Sequence, residues 1–106
     1  MLVVNRFQVP EAEGEKFRGD LERARRTLAQ RPGYVVGTIG RSVDDPALWL
    51  LQTQWADVGS YRRALSSYEV KMQAVPLLSR ALDEPSAYEL VEPGTVLNTG
   101  STRSLG

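Results

Sequence analysis

Apolar and polar positions alternate roughly through the opening LVVNRFQV (Leu2 to Val9). Its β-branched and aromatic side chains predict a strand, which Pro10 ends. Val3, Asn5 and Phe7 fall on one face of that strand. The period then changes: between Glu11 and Gln30 the apolar residues Phe17, Leu21, Ala24 and Leu28 recur at spacings of four, three and four, which is one face of a helix. Glu22 and Arg26 add an i,i+4 pair on its other side. RPGY (Arg31 to Tyr34) stops this helix, and YVVGTIGR (Tyr34 to Arg41) predicts a second strand. SVDDP (Ser42 to Pro46) is a turn, and ALWLLQTQW (Ala47 to Trp55) predicts a third strand paired with the second as a hairpin. Trp49, Leu51, Thr53 and Trp55 share one face of it; Leu48, Leu50, Gln52 and Gln54 share the other. Bulky apolar groups on both faces predict that both are covered.

Beyond the third strand the elements shorten. Asp57 is placed to cap a helix carrying Val58, Tyr61 and Leu65 on one face, and SSYE (Ser66 to Glu69) has capping-box spacing for the next. Pro76 restarts the chain as PLLSRAL, and SAYELV (Ser86 to Val91) predicts a closing strand with Tyr88 and Leu90 on one face. The order β, α, ββ, short α segments, β is that of an α+β, ferredoxin-like split βαβ unit: a four-stranded antiparallel sheet with helices on one face. This assigns residues 1–92 to one domain and 93–106 to a mobile tail rich in Gly, Ser and Thr. Leu2, Val4, Val35, Ile39, Leu48 and Leu50 are expected on the helix-free face. An apolar patch of that size predicts a homodimer packed sheet on sheet, with TVLN (Thr95 to Asn98) as an arm that docks on the partner.

Charge and composition narrow the function. Lys plus Arg equals Asp plus Glu at 13 each, so there is no basic footprint for nucleic acid, and the Arg-rich run ERARRTLAQR, interleaved with acid, is a solvated helix face. No run is long and apolar enough to cross a membrane, so no membrane partner is expected. With no cysteine and no leader-like opening, a cytoplasmic protein is expected. There is also no histidine. The usual proton shuttle and the soft metal ligands are missing, so chemistry must come from phenol, indole, amide, carboxylate or guanidinium groups, or from the substrate itself. Asn5 stands out among these. An amide on the covered face of a central strand costs about 1 to 3 kcal/mol unless it is hydrogen-bonded.

Four segments taken together, N-x-x-x-V-P (Asn5, Val9, Pro10), PGY (Pro32 to Tyr34), LLQTQWAD (Leu50 to Asp57) and YRRALSSYEVK (Tyr61 to Lys71), resemble the antibiotic biosynthesis monooxygenase domain, over residues 1–92. The resemblance implies a dimeric α/β barrel. One branch of that family oxidises aromatic compounds such as anthrones with O2 and no cofactor, with a tryptophan ending the third strand and a tyrosine six residues on; Trp55 and Tyr61 keep that spacing. That branch has a polar amide earlier on the third strand, where this chain has Leu51. The resemblance implies Asn5, Trp55 and Tyr61 as catalytic residues, with Phe7, Leu51, Arg62, Tyr68, Met72 and Tyr88 binding substrate. The expected pocket lies between sheet and helices, with Phe7, Trp55 and Tyr88 as walls and a small phenol-, anthrone- or quinol-like compound and O2 as its occupants. Another branch degrades haem with an asparagine, a tryptophan and a histidine. Asn5 and Trp55 match the first two, the histidine is missing, and haem binding stands as the alternative. A non-catalytic dimer that binds a small hydrophobic molecule is a further alternative.

Overall fold

The computed structural model describes residues 1–98. Strand β1 (Leu2–Gln8) leads through a 3-10 turn (Glu11–Glu13) into helix α1 (Gly14–Ala29), followed by the hairpin β2 (Tyr34–Arg41) and β3 (Leu48–Trp55). Three short helices follow, α2 (Val58–Ser66), α3 (Tyr68–Gln73) and α4 (Val75–Leu78), and a two-residue strand β4 (Ala87–Tyr88) closes the order. The sheet runs β2-β3-β1-β4, antiparallel throughout, so the first strand lies at its centre although it begins the chain. This is the α+β ferredoxin-like arrangement read from the sequence.

The core is the layer between one sheet face and the helices. Val3 and Phe7 of β1 and Trp49, Leu51, Thr53 and Trp55 of β3 meet Phe17, Leu21, Ala24 and Leu28 of α1, all buried. The spacing of four, three and four places those α1 residues on the stripe that faces the sheet. Fully burying a side chain of this kind stabilises the fold by roughly 1.5–3 kcal/mol.

Three local expectations are corrected. The register between β2 and β3 shifts between Tyr34 and Val36, leaving Val35 as an extra residue. From there Gly37, Ile39 and Arg41 pair with Thr53, Leu51 and Trp49, so Ile39 faces the helices and not the open side. A bulge reverses which alternate residues face the core, and strict alternation counted from Tyr34 misses that reversal. Ser67, not Ser66, caps α3: its hydroxyl accepts from Val70 N at 3.4 Å, while Ser66 ends α2. Finally, the closing strand is far shorter than Ser86 to Val91, because only Ala87 and Tyr88 pair in register with β1. The open face carries Leu2, Val4 and Arg6 of β1, Leu48 and Leu50 of β3, and Val36 of β2. The tail assigned to 93–106 lies outside the described residues from position 99; within them Thr95 N–H donates to Glu92 O at 3.0 Å. Among the described residues no helix is long and apolar enough to cross a membrane.

Candidate active site

Trp55 ends β3 and is fully buried, with Tyr34 packed edge-on to its ring and Tyr61 tilted against it, both at centroid distances of 5.5 Å. Local sequence builds this stack. After Trp55 the chain turns at Asp57, whose carboxylate accepts from Ser60 N at 2.7 Å and starts α2. Helical side chains lean toward the N-terminus, so Tyr61 in the first turn returns over the strand end it has just left. The Asp57 carboxyl is held below its usual range by the Ser60 backbone and hydroxyl, with Arg63 adding to the effect. Burial pushes the Tyr61 phenol above its ordinary value, so it is protonated and a donor at neutral pH.

The Trp55 indole N–H donates to Thr53 Oγ1 at 2.9 Å, and Thr53 is itself buried. Thr53 is the polar residue that sequence reasoning passed over. Its signal was available: one hydroxyl among Trp49, Leu51 and Trp55 on a core face, two residues from an indole that needs an acceptor.

Asn5 sits at the centre of the sheet, opposite Leu51 and diagonal to Thr53, a separation of about 7–8 Å in such a ladder. Asn5, Thr53 and the Trp55 N–H therefore form a polar line along an otherwise apolar face. Asn5 is half-buried, and its side-chain amide has no hydrogen-bond partner among the described residues. It lines a cleft of about 370 Å³ between β1 and the segment from Leu78 to Ser86, together with Ser79, Asp83, Glu84 and Ser86. That segment is clipped to β1 by Arg6, which donates from Nε and Nη2 to the two carboxylate oxygens of Glu84 at 2.6 and 2.8 Å. The pair holds the Glu84 carboxyl below its usual range and raises the guanidinium.

The remaining candidates divide. Phe7 and Leu51 are buried on the same sheet face as Asn5, but Phe7 packs edge-on against Phe17 at 5.2 Å, away from Trp55. Tyr68 and Met72 are exposed on α3, 74% and 55%, and Met72 lines a separate groove of about 200 Å³ with Asp20, Arg23 and Arg80. Arg62 is exposed on α2. Tyr88 is corrected: it pairs with Leu2 and shares the open face with it, so it cannot wall the layer between sheet and helices. Among the described residues no cluster of three or more His, Cys, Asp or Glu comes together.

Solved structures share this architecture. SnoaB from Streptomyces nogalater, named as a cofactor-independent oxygenase, superposes with a TM-score of 0.68 at 26% identity over 91% of this chain and 94% of its own. A candidate antibiotic biosynthesis monooxygenase from Deinococcus radiodurans gives 0.70 at 16% identity over 92% and 100%. A conserved protein from Methanosarcina mazei Go1 gives 0.66 at 22% over 81% and 84%. No curated protein matches the chain. Residues 1–73 match the family model described as antibiotic biosynthesis monooxygenase, and the chain belongs to that family.

Proposed function

We propose that the protein is a cofactor-independent monooxygenase that oxidises a small phenol-, anthrone- or quinol-like compound with O2, and that Asn5, Trp55 and Tyr61 carry the reaction. The observation that carries this reading is the Asn5 amide, unpartnered within the described chain, at the edge of a 370 Å³ cleft and on the sheet face that holds the Trp55–Tyr61 pair. Family membership and the likeness to SnoaB support it. In this reading an activated CH2 of the bound substrate loses a proton, and the anion passes one electron to O2. The carbon radical and superoxide then join in a C–O bond. After protonation the hydroperoxide loses water to leave C=O, so one O2 is consumed, one water is released and no outside reductant enters.

The protein's share is to hold the anion and return the proton. Asn5 donates to the developing oxyanion, the contribution a positioned donor makes where charge develops. Tyr61, protonated at neutral pH, is the proton donor in this reading; it and Trp55 lie farther along the same sheet face and do not line the cleft. Phe7 and Leu51 are buried neighbours of Asn5 on that sheet face and do not line the cleft, and Arg62, Tyr68 and Met72 lie outside this grouping. The reading includes a homodimer through the open sheet face, which covers Leu2, Val4, Leu48 and Leu50.

The test is oxygen uptake with a panel of hydroxyanthrones, catechols and quinols, comparing the wild type with Asn5→Leu. Catalysis at Asn5 predicts uptake with at least one compound and a fall of about 10²- to 10³-fold in kcat in the variant, the usual loss for one oxyanion donor. Equal rates from a folded variant would remove Asn5 from the mechanism. No uptake with any member of the panel favours the non-catalytic binding protein.

A further inference from the structure

We infer that the gap between β1 and the segment before β4 is a hydrogen-bonding subsite made of main chain, and that it takes a neutral, flat molecule carrying a carbonyl and an N–H or O–H on one edge. Trp55 N–H bonds to Met1 O and Val9 N–H to Ala47 O, so odd-numbered residues of β1 turn their backbone groups to β3 and even-numbered ones to the opposite side. On that side Val4 N–H donates to Ser86 O at 2.7 Å, and Arg6 O accepts from Leu82 N–H at 2.8 Å. The two groups between those bonds, Val4 C=O and Arg6 N–H, have no hydrogen-bond partner among the described residues.

The register that pairs Leu2 with Tyr88 and Val3 with Ala87, carried onward, sets Val4 opposite Ser86 and Arg6 opposite Glu84, so a continued ladder would bring Ser86 N–H to Val4 C=O and Arg6 N–H to Glu84 C=O; neither bond forms. The chain bows away over Asp83, Glu84 and Pro85, rejoins at Leu82, and leaves the 370 Å³ cleft in place of a rung. An acceptor, a donor and the Asn5 amide thus border one cavity, on a rigid central strand. A ligand carbonyl accepts from Arg6 N–H while its N–H or O–H donates to Val4 C=O.

Charge selects among ligands. Arg6 is already engaged by Glu84, and Asp83 at the rim has no ion-pair partner among the described residues, so a carboxylate or phosphate meets net negative charge there. A neutral ligand does not. The volume lies within the roughly 300–1,000 Å³ of small-molecule sites. The inference builds on the reading of this cleft as part of the reactive pocket, but binding tests it without turnover.

A suitable probe is 2-quinolinone, a flat lactam inert to O2, titrated into the 15N-labelled full chain, with N-methyl-2-quinolinone as the analogue that has lost the donor. The backbone amide of Arg6 and the side-chain NH2 of Asn5 should shift together and saturate, and the N-methyl compound should bind about tenfold more weakly, the effect of one hydrogen bond. Equal binding of the two compounds, shifts confined to Thr53, Trp55 and Tyr61, or no shift at millimolar probe would each overturn the subsite. Saturable shifts at Arg6 from a protein that consumes no oxygen with any phenol would leave the subsite standing and remove the catalytic reading.

Discussion

Thr53 ties the largest fully buried side chain among the described residues to its strand, and replacing it shows how much that bond carries. Thr53→Val keeps the shape and removes the acceptor, so the Trp55 N–H is left buried and unsatisfied, at a cost of about 1–3 kcal/mol. Urea unfolding should show the loss as a lower midpoint at unchanged slope, with altered tryptophan emission in the folded baseline. Tyr61 makes the opposite experiment: Tyr61→Phe keeps the ring against Trp55 and deletes only the hydroxyl. As proton donor it predicts a fall of about 10²- to 10⁴-fold in kcat with stability little changed; a purely structural tyrosine predicts no kinetic change. The same phenol also gives a pH signature. Burial raises its folded pKa above the unfolded value near 10, so the folded state holds the proton longer. That contribution is complete below the unfolded value and is lost as pH rises through the folded one. Wild-type stability should therefore decline at alkaline pH, and Tyr61→Phe should flatten the decline. The Trp55–Tyr61 pair was legible in the sequence because strand end, cap and first helical turn are all local. Thr53 needed a different question, namely where a buried indole finds its acceptor.

Among the elements, the turn between α1 and β2 is the most constrained. Gly33 adopts φ +88°, and a Cβ there would run into the Ser60 side chain at the start of α2. Its carbonyl also accepts from Ala56 N–H at 2.7 Å, so one glycine joins the end of α1 to the exit of β3. Gly33→Ala combines left-handed strain of about 1–2 kcal/mol with that clash. The midpoint of thermal unfolding should fall by more than for Gly19→Ala, which meets open space inside a helix and should if anything raise it. Long periodic elements, α1 and β3 above all, were readable from their spacing to within about three residues, the first three positions of the expected helix forming a 3-10 turn. The bulge after Tyr34 was not, because a single inserted residue leaves no trace in composition yet exchanges the two faces of the strand. The true length of β4 was hidden for a related reason: SAYELV has strand composition, but in the register that pairs Leu2 with Tyr88 its last residues run past the start of β1, and that register is set by tertiary contacts.

For the molecule as a whole, the unanswered surface is the helix-free side of the sheet. Val36 and Tyr88 are each 49% exposed there, beside Leu2, Val4, Leu48 and Leu50. A second copy packed on this face predicts that Leu50→Lys, which sets a charge among apolar side chains, yields monomer or aggregate in size-exclusion with light scattering. A wild type that remains monomeric at micromolar concentration rules out the dimer. The fold was legible at this scale because element order alone admits few topologies. The cleft was not, since it is made by a missing pairing between segments more than seventy positions apart, as Arg6 and Glu84 are with a separation of 78.

That missing rung divides the labour of the cavity. Its floor belongs to β1, which the sheet holds from the middle, whereas its wall from Ser79 to Ser86 is joined to that floor by two backbone bonds and one ion pair. Substitutions at wall positions that make none of these contacts leave the floor unchanged, so on the proposed reading ligand preference can change while the acceptor, donor and amide beneath stay fixed. On that reading, what the cavity accepts is edited within eight contiguous residues and apart from the sheet that sets the fold.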